Sequence, residues 1–151
     1  MAKQTQKFIM STFMQLLENE SLDKITVRDI VEECEINRNT FYYHYSDIYD
    51  LLDDVFRVET EKFLEQDVDD NTTFGEEYAR AAQFVLKYMK AILHIYDSKK
   101  RDVLENYLET LAFSFINRFV KKESEGYVLS DDDVDYITGF YTHAIVGNTI
   151  E

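Results

Sequence analysis

The chain is 151 residues long, with 45% hydrophobic residues, four glycines and no proline, which fits one compact unit or two small helical subdomains and excludes a disordered or turn-rich β protein. A lone cysteine excludes an intrachain disulfide, and no apolar run approaches the roughly 18 residues that span a bilayer. The net charge of −14 and a pI near 4.5 are the reverse of the usual footprint of a nucleic-acid binder. Phe8 to Leu17 is interrupted by Ser11, Thr12 and Gln15, so it lacks the pattern of a signal peptide. A reducing, cytoplasmic location is the expectation.

Residues 1–20 read as a first helix, with Ile9, Phe13, Leu16 and Leu17 on one face. A polar break over 19–24 follows, with Leu22 and Ile25 free to tuck beneath it. Thr26 and Asp29 form a capping box. Val27, Ile30, Val31 and Cys34 then make a single apolar stripe at i, i+3, i+4 and i+7, and Cys34 packs there as a small hydrophobe. This helix runs little more than two turns before Glu35-Ile36-Asn37. Asn37 is a preferred N-cap, so a second short helix starts at Arg38. Two short helices joined by a three-residue turn have the layout of a helix-turn-helix. Asp47 caps a further helix with Asp50 in the box position, and Leu51, Leu52, Val55, Phe56 and Phe63 form its apolar side.

Residues 67–73 read as an acidic loop. Thr73 and Glu76 form another capping box, opening a helix of about twenty residues whose apolar band is Tyr78, Ala81, Ala82, Val85, Met89, Ile92 and Leu93. After a charged break over 97–101, a long helix carries Val103, Tyr107, Leu108, Leu111, Phe115, Ile116, Phe119 and Val120. A loop around Gly126 leads to Ser130 and Asp133, which cap a last helix. Its Val134, Ile137, Phe140, Tyr141, Ala144 and Ile145 are spaced for burial. The fold class is therefore all-α: an N-terminal three-helix helix-turn-helix domain over residues 1–50, joined to a C-terminal helical bundle over 51–151.

Enzyme chemistry finds little support, and the chain is read as a non-enzyme with no cofactor and no metal. His44, His94 and His143 are scattered without metal spacing. Asp131, Asp133 and Asp135 imitate a calcium loop, but Tyr136 stands at its glycine position and Thr142 at its closing glutamate position. Acids at a helix N-terminus are explained by the macrodipole. The aromatics Tyr78, Tyr88, Tyr96, Tyr107, Phe113, Phe115 and Tyr141 leave three readings open: a ligand enclosure, a dimer surface, or core.

From Thr26 to Leu52 the sequence TVRDIVEECEINRNTFYYHYSDIYDLL resembles the DNA-binding signature of TetR-type transcriptional regulators, above all in TFYYHY followed by a short cap and a Leu-Leu pair. The likeness extends from Phe8 to about Val55. Further on, FYTHAIVG resembles the final helix of small TetR regulators of Firmicutes-type bacteria, in which that helix continues for one or two more turns; the last helix here is expected to be shortened. The resemblance implies a cytoplasmic bacterial repressor that acts as a homodimer on a palindromic double-stranded DNA operator, with a small-molecule inducer and no membrane partner. It places Arg38, Asn39 and Thr40 near base edges, Tyr42 and His44 on phosphates, Thr26 and Tyr43 also at the DNA, and Phe41 and Tyr45 in the core. Tyr88, His94, Tyr107, Phe115 and His143 are the candidate ligand-binding residues. It also implies that the last two long helices pair with their copies in a four-helix bundle.

Two positions depart from that pattern. Ile48 stands where such proteins carry a phosphate-contacting lysine, so the contact is lost or passes to backbone N–H groups at that helix start. Glu35 stands where glycine is common in the turn, and a side chain in a left-handed conformation costs on the order of 1 kcal/mol. Together with the net charge of −14, these departures motivate a rival reading: a co-regulator that keeps the fold and works through a protein partner. Against it, residues 1–17 and 36–46 contain no acidic residue and carry Lys3, Lys7, Arg38 and His44, so the local field is favourable where it counts.

Overall fold

A computed structural model describes residues 2–65 and 71–150; residues 67–70 of the expected acidic loop lie outside the described residues. Among these, eight α-helices and one 3-10 turn are found and no strand: α1 (Ala2–Leu17), the 3-10 turn Leu22–Lys24, α2 (Val27–Glu33), α3 (Arg38–His44), α4 (Ile48–Leu64), α5 (Phe74–Lys87), α6 (Met89–Tyr96), α7 (Arg101–Glu123) and α8 (Asp131–Ile150). The all-α architecture expected from periodicity is what the chain adopts. No described helix is long and apolar enough to cross a membrane. Two compact units result, one of residues 1–69 with 83–101, the other of residues 70–82 with 102–151.

The first unit is built around Ile9, Phe13 and Leu17, fully buried on successive turns of α1. Against them lie Ile30, Val31 and Cys34 from the α2 segment, Phe41 and Tyr45 from α3 and its cap, and Leu51, Leu52 and Val55 from α4, all buried. Leu22 and Ile25 tuck in as their spacing suggests. Helix α6 closes this unit with Ala91 and Ile95 buried. The His94 Nδ1–H donates to the Leu17 carbonyl at 2.6 Å, satisfying one of the carbonyls that a helix end leaves without an intrahelical partner. Farther along α4, Phe63 meets Phe84 at 5.6 Å between ring centroids, and the Tyr88 hydroxyl donates to Glu59 at 2.8 Å.

Thr73 and Glu76 form the expected box, with the Thr73 N–H donating to the Glu76 carboxylate at 2.8 Å and the Glu76 N–H to the Thr73 hydroxyl at 3.3 Å. The expected twenty-residue helix is two, however. Tyr88 has φ −103° and ψ 12°, a bridge conformation that separates α5 from α6.

The second unit rests on α7, whose Leu104, Leu108, Leu111, Ala112, Phe115, Ile116 and Phe119 are buried. Helix α8 packs a different face from the one its apolar residues suggest. Its buried positions are Val134, Thr138, Thr142 and Val146, one per turn. The two threonines are admissible because Thr138 donates to the Val134 carbonyl at 2.7 Å and Thr142 to the Thr138 carbonyl at 2.8 Å, so neither of these hydroxyls is buried without a partner. Phe140 and Tyr141, expected inside, are exposed.

Candidate nucleic-acid interface

The helix-turn-helix is set by local hydrogen bonding. The Asp29 N–H donates to the Thr26 hydroxyl at 3.3 Å and the Thr26 N–H to the Asp29 carboxylate at 2.8 Å, the reciprocal box read from the sequence. These bonds hold the Asp29 carboxyl below its ordinary range. Helix α2 ends as a Schellman motif: the Glu35 N–H donates to the Glu32 carbonyl at 3.2 Å and the Ile36 N–H to the Val31 carbonyl at 3.0 Å. That geometry puts Glu35 at φ +52°, the left-handed position where glycine is favoured. The Asn37 carboxamide oxygen then accepts from the Thr40 N–H at 2.8 Å and starts α3.

Two anchors orient α3. Phe41 and Tyr45 are buried, with rings 5.9 Å apart. Burial first, then the hydrogen bond to Asp54, holds the Tyr45 phenol far above its ordinary range. Its hydroxyl donates to Asp54 at 2.8 Å, and Gln6 donates to the same carboxylate oxygen at 2.8 Å. Burial pushes the Asp54 carboxyl up, but hydrogen bonds from Arg57, Tyr45 and Gln6 prevail and hold it below the usual carboxylate range. One carboxylate thus ties α1, the α3 cap and α4 together. Asp54 escaped the sequence reading; the available signal was a tyrosine at a core position, whose hydroxyl requires a partner.

With Phe41 and Tyr45 turned inward, the opposite face of α3 is presented to solvent. Arg38 and Asn39 are exposed, as are Tyr42 and Tyr43 at 54% and 78%. His44 is half-buried with its ring 5.1 Å from that of Tyr43. Thr40 is half-buried and its hydroxyl donates to Asn37 at 3.1 Å. Thr26 is exposed at the start of α2, its hydroxyl donating to Asp29 at 2.6 Å. All seven candidate DNA residues therefore fall on the helix-turn-helix segment. A seven-residue helix is about 10 Å long at 1.5 Å per residue, and a major groove admits a helix of this kind.

The start of α4 is less accommodating to phosphate. Ile48 is half-buried. The Tyr49 and Asp50 N–H groups, which were the alternative anion donors there, both donate to the Asp47 carboxylate at 2.8 and 2.9 Å. Asp50 accepts from the Ser46 N–H at 2.8 Å, so its carboxylate reaches one residue farther back than the expected box.

The five candidate ligand residues fall as follows. Tyr88 and His94, both half-buried, belong to the first unit, where they bond Glu59 and Leu17. Tyr107 is half-buried and Phe115 buried in α7, while His143 is exposed on α8 with Nδ1 donating to the Gly139 carbonyl at 2.7 Å. None of the five lines the cavity of about 550 Å³ in the second unit, whose walls include Phe74, Phe119, Glu123, Tyr127, Leu129 and Tyr141. The sequence also gave no warning of Glu77, which is 1% exposed. Its carboxylate is paired with Arg80 and, at 2.7 Å, with Arg118. Among the described residues, no group of three or more His, Cys, Asp or Glu is placed to hold a metal ion.

Comparison with known proteins adds the following. Residues 9–55 match the family model described as bacterial regulatory proteins, tetR family, and residues 72–151 match that of a transcriptional regulator C-terminal region. Among solved structures, the dihydroxyacetone kinase operon activator DhaS is 20% identical with a TM-score of 0.78, covering 97% of this chain and 82% of its own. A TetR transcriptional regulator from Streptococcus agalactiae 2603V is 21% identical with a TM-score of 0.66, covering 99% of this chain and 81% of its own. At such identity both likenesses speak to the fold. No curated protein matches the chain by sequence.

Proposed function

The chain belongs to the TetR family of bacterial transcriptional regulators, and from that premise we propose that it is a cytoplasmic homodimeric repressor of a palindromic DNA operator. The observation that carries this reading is α3: Phe41 and Tyr45 are buried while Arg38, Asn39, Tyr42 and Tyr43 face solvent. In the proposed complex Arg38, Asn39 and Thr40 meet base edges. Tyr42, His44 and Thr26 hold phosphates, and Tyr43 reaches the groove wall. Residues 1–50 are the DNA-binding part and 51–151 the dimerisation and effector part.

The exposed aromatics of α8 support the dimer. Tyr136 and Phe140 are 76% and 64% exposed and lie one turn apart, and Ala144 follows on the next turn of the same face. An apolar stripe of this kind marks an association surface. The dimer proposed pairs α7 and α8 with their copies, and a palindromic operator requires its two recognition helices about 34–36 Å apart, one DNA turn. The small-molecule inducer is assigned to the second unit's cavity, whose about 550 Å³ falls in the range of ligand pockets, roughly 300–1,000 Å³. No enzymatic step is assigned.

The test is selection of an operator from random duplexes, followed by fluorescence titration at several salt concentrations. Tyr42→Ala and His44→Ala are each expected to weaken operator binding about tenfold, near 1.4 kcal/mol. Failure to enrich any sequence by a folded dimer would refute the reading. The net charge of −14 favours one alternative, a co-regulator that acts through a protein partner. Such a protein would show no DNA affinity even at low salt.

A further inference from the structure

We propose that Lys99 and Lys100, at the junction between α6 and α7, contact DNA phosphates beside the helix-turn-helix and supply the cationic charge that Ile48 does not. The inference rests on the DNA-binding reading above and extends the interface to a part of the chain outside it.

The start of α4 has a deficit. It offers an apolar side chain at Ile48, its Tyr49 and Asp50 N–H groups are engaged by Asp47, and the carboxylates of Asp47, Asp50 and Asp53 are on exposed residues. A phosphate approaching this corner meets negative charge with no compensating side chain from α4's first turn.

The compensation comes from Lys99 and Lys100. Lys99-Lys100-Arg101 is the only run of three cations in a chain of net charge −14. The structure holds this run at both flanks of the helix-turn-helix. The Lys99 N–H donates to the two Asp23 carboxylate oxygens at 3.3 and 3.2 Å, three residues ahead of Thr26. The Lys100 ammonium sits 4.5 Å from the centroid of the Tyr49 ring, in the first turn of α4. The junction backbone is itself fixed, since the Ser98 hydroxyl donates to the Ile95 carbonyl at 2.5 Å and accepts from the Lys100 N–H at 3.1 Å.

Both ammonium groups are also available. The chain has 30 acidic residues, yet among the described residues neither Lys99 nor Lys100 takes part in a salt bridge. By contrast Arg28, Arg57 and Lys62 are each paired with carboxylates on their own helices. The Lys100 ammonium is held over the π face of the Tyr49 ring rather than at its hydroxyl, so it retains donors for an oxygen acceptor. A compact ammonium on a flexible stem suits phosphate as a point charge and carries no base preference.

The experiment measures binding of the full-length dimer to its selected operator and to an unrelated duplex, between about 50 and 200 mM salt. It compares wild type with Lys99→Gln/Lys100→Gln, Lys100→Gln, Lys100→Arg and Tyr42→Ala, each checked for unchanged urea unfolding. Each released phosphate contact removes about 0.9 from the slope of log affinity against log salt. A dimer presents every residue twice, so Lys100→Gln should lower that slope by about 1.8 and the double variant by about 3.6. The loss should be equal on operator and unrelated DNA, and Lys100→Arg should restore the slope. A double variant with wild-type slope and affinity, while Tyr42→Ala still weakens binding, overturns this proposal and leaves the functional reading standing. Absence of DNA binding by folded wild type overturns both.

Discussion

Helices α3 and α8 both hold aromatic rings in water, and the difference lies in what surrounds those rings. On α3 the exposed Tyr42 and Tyr43 share seven residues with Arg38, Asn39, Thr40 and His44, so each ring lies among hydrogen-bond donors and positive charge. On α8, Tyr136, Phe140 and Tyr141 lie in a twenty-residue helix without a single lysine or arginine. Its first turn carries Asp131, Asp132 and Asp133. The first surface is chemically suited to a polyanion. The second repels one and suits an apolar face like itself, which a two-fold axis would supply. Exposure alone therefore does not name a partner; the neighbouring charges decide it.

The strongest way to break this contrast is to charge the α8 face. Burying one phenylalanine is worth roughly 1.5–3 kcal/mol, and two-fold symmetry counts it twice. Phe140→Asp should thus weaken dimerisation by about 3–6 kcal/mol, roughly 10²–10⁴-fold, read by sedimentation as a shift to monomer at micromolar concentration. An unchanged mass would mean that α8 is not the dimer surface. Next in size is the inward side of α3. Phe41→Ala removes a fully buried ring and should cost about 3–5 kcal/mol in urea unfolding, whereas Tyr42→Ala should stay within about 0.5 kcal/mol. Equal losses from the two would contradict the division of α3 into an anchoring and a reading face.

The same two helices show how much structure is legible in order along the chain. Around α3 the determinants are local: Thr26 with Asp29 and Asn37 with Thr40 are each three residues apart. Capping chemistry and periodicity therefore sufficed to place α2, α3 and their turn. The resemblance puts Tyr45 in the core, but no local pattern names its acceptor: Asp54 lies nine residues on, in α4, and also accepts from Gln6, 48 residues away. On α8 the apolar count pointed to Phe140 and Tyr141, while the buried stripe includes Thr138 and Thr142, whose hydroxyls are satisfied within their own helix. An apolar residue can be left outside for a partner that the chain does not contain. Glu77 fails for a related reason: a first-turn glutamate reads as solvated, and its burial is made tolerable by Arg80 on its own helix together with Arg118, 41 residues on. The cavity escaped because its walls come from α5, α7, α8 and the loop between the last two, and no periodicity reports such a convergence.

The smallest predicted effect bears on how α3 is delivered. Glu35 adopts φ +52° because the Schellman geometry of α2 demands it, at a cost of roughly 1–2 kcal/mol for a residue with a Cβ. Glycine relieves that strain but gives back about 0.4–1 kcal/mol through the entropy of the unfolded chain. Glu35→Gly should therefore stabilise by about 0.5–1 kcal/mol, a rise of roughly 1–4 °C in Tm for a protein of this size. The substitution also removes an exposed carboxylate three residues before Arg38. Glu35→Gln separates the two contributions, since it removes the charge and keeps the strained backbone. If α3 is the DNA-reading helix, both variants should bind operator more tightly at low salt, and only the glycine variant should melt higher. A glutamine variant that raised Tm as much as glycine would show that charge repulsion, not the left-handed backbone, is what Glu35 costs this turn.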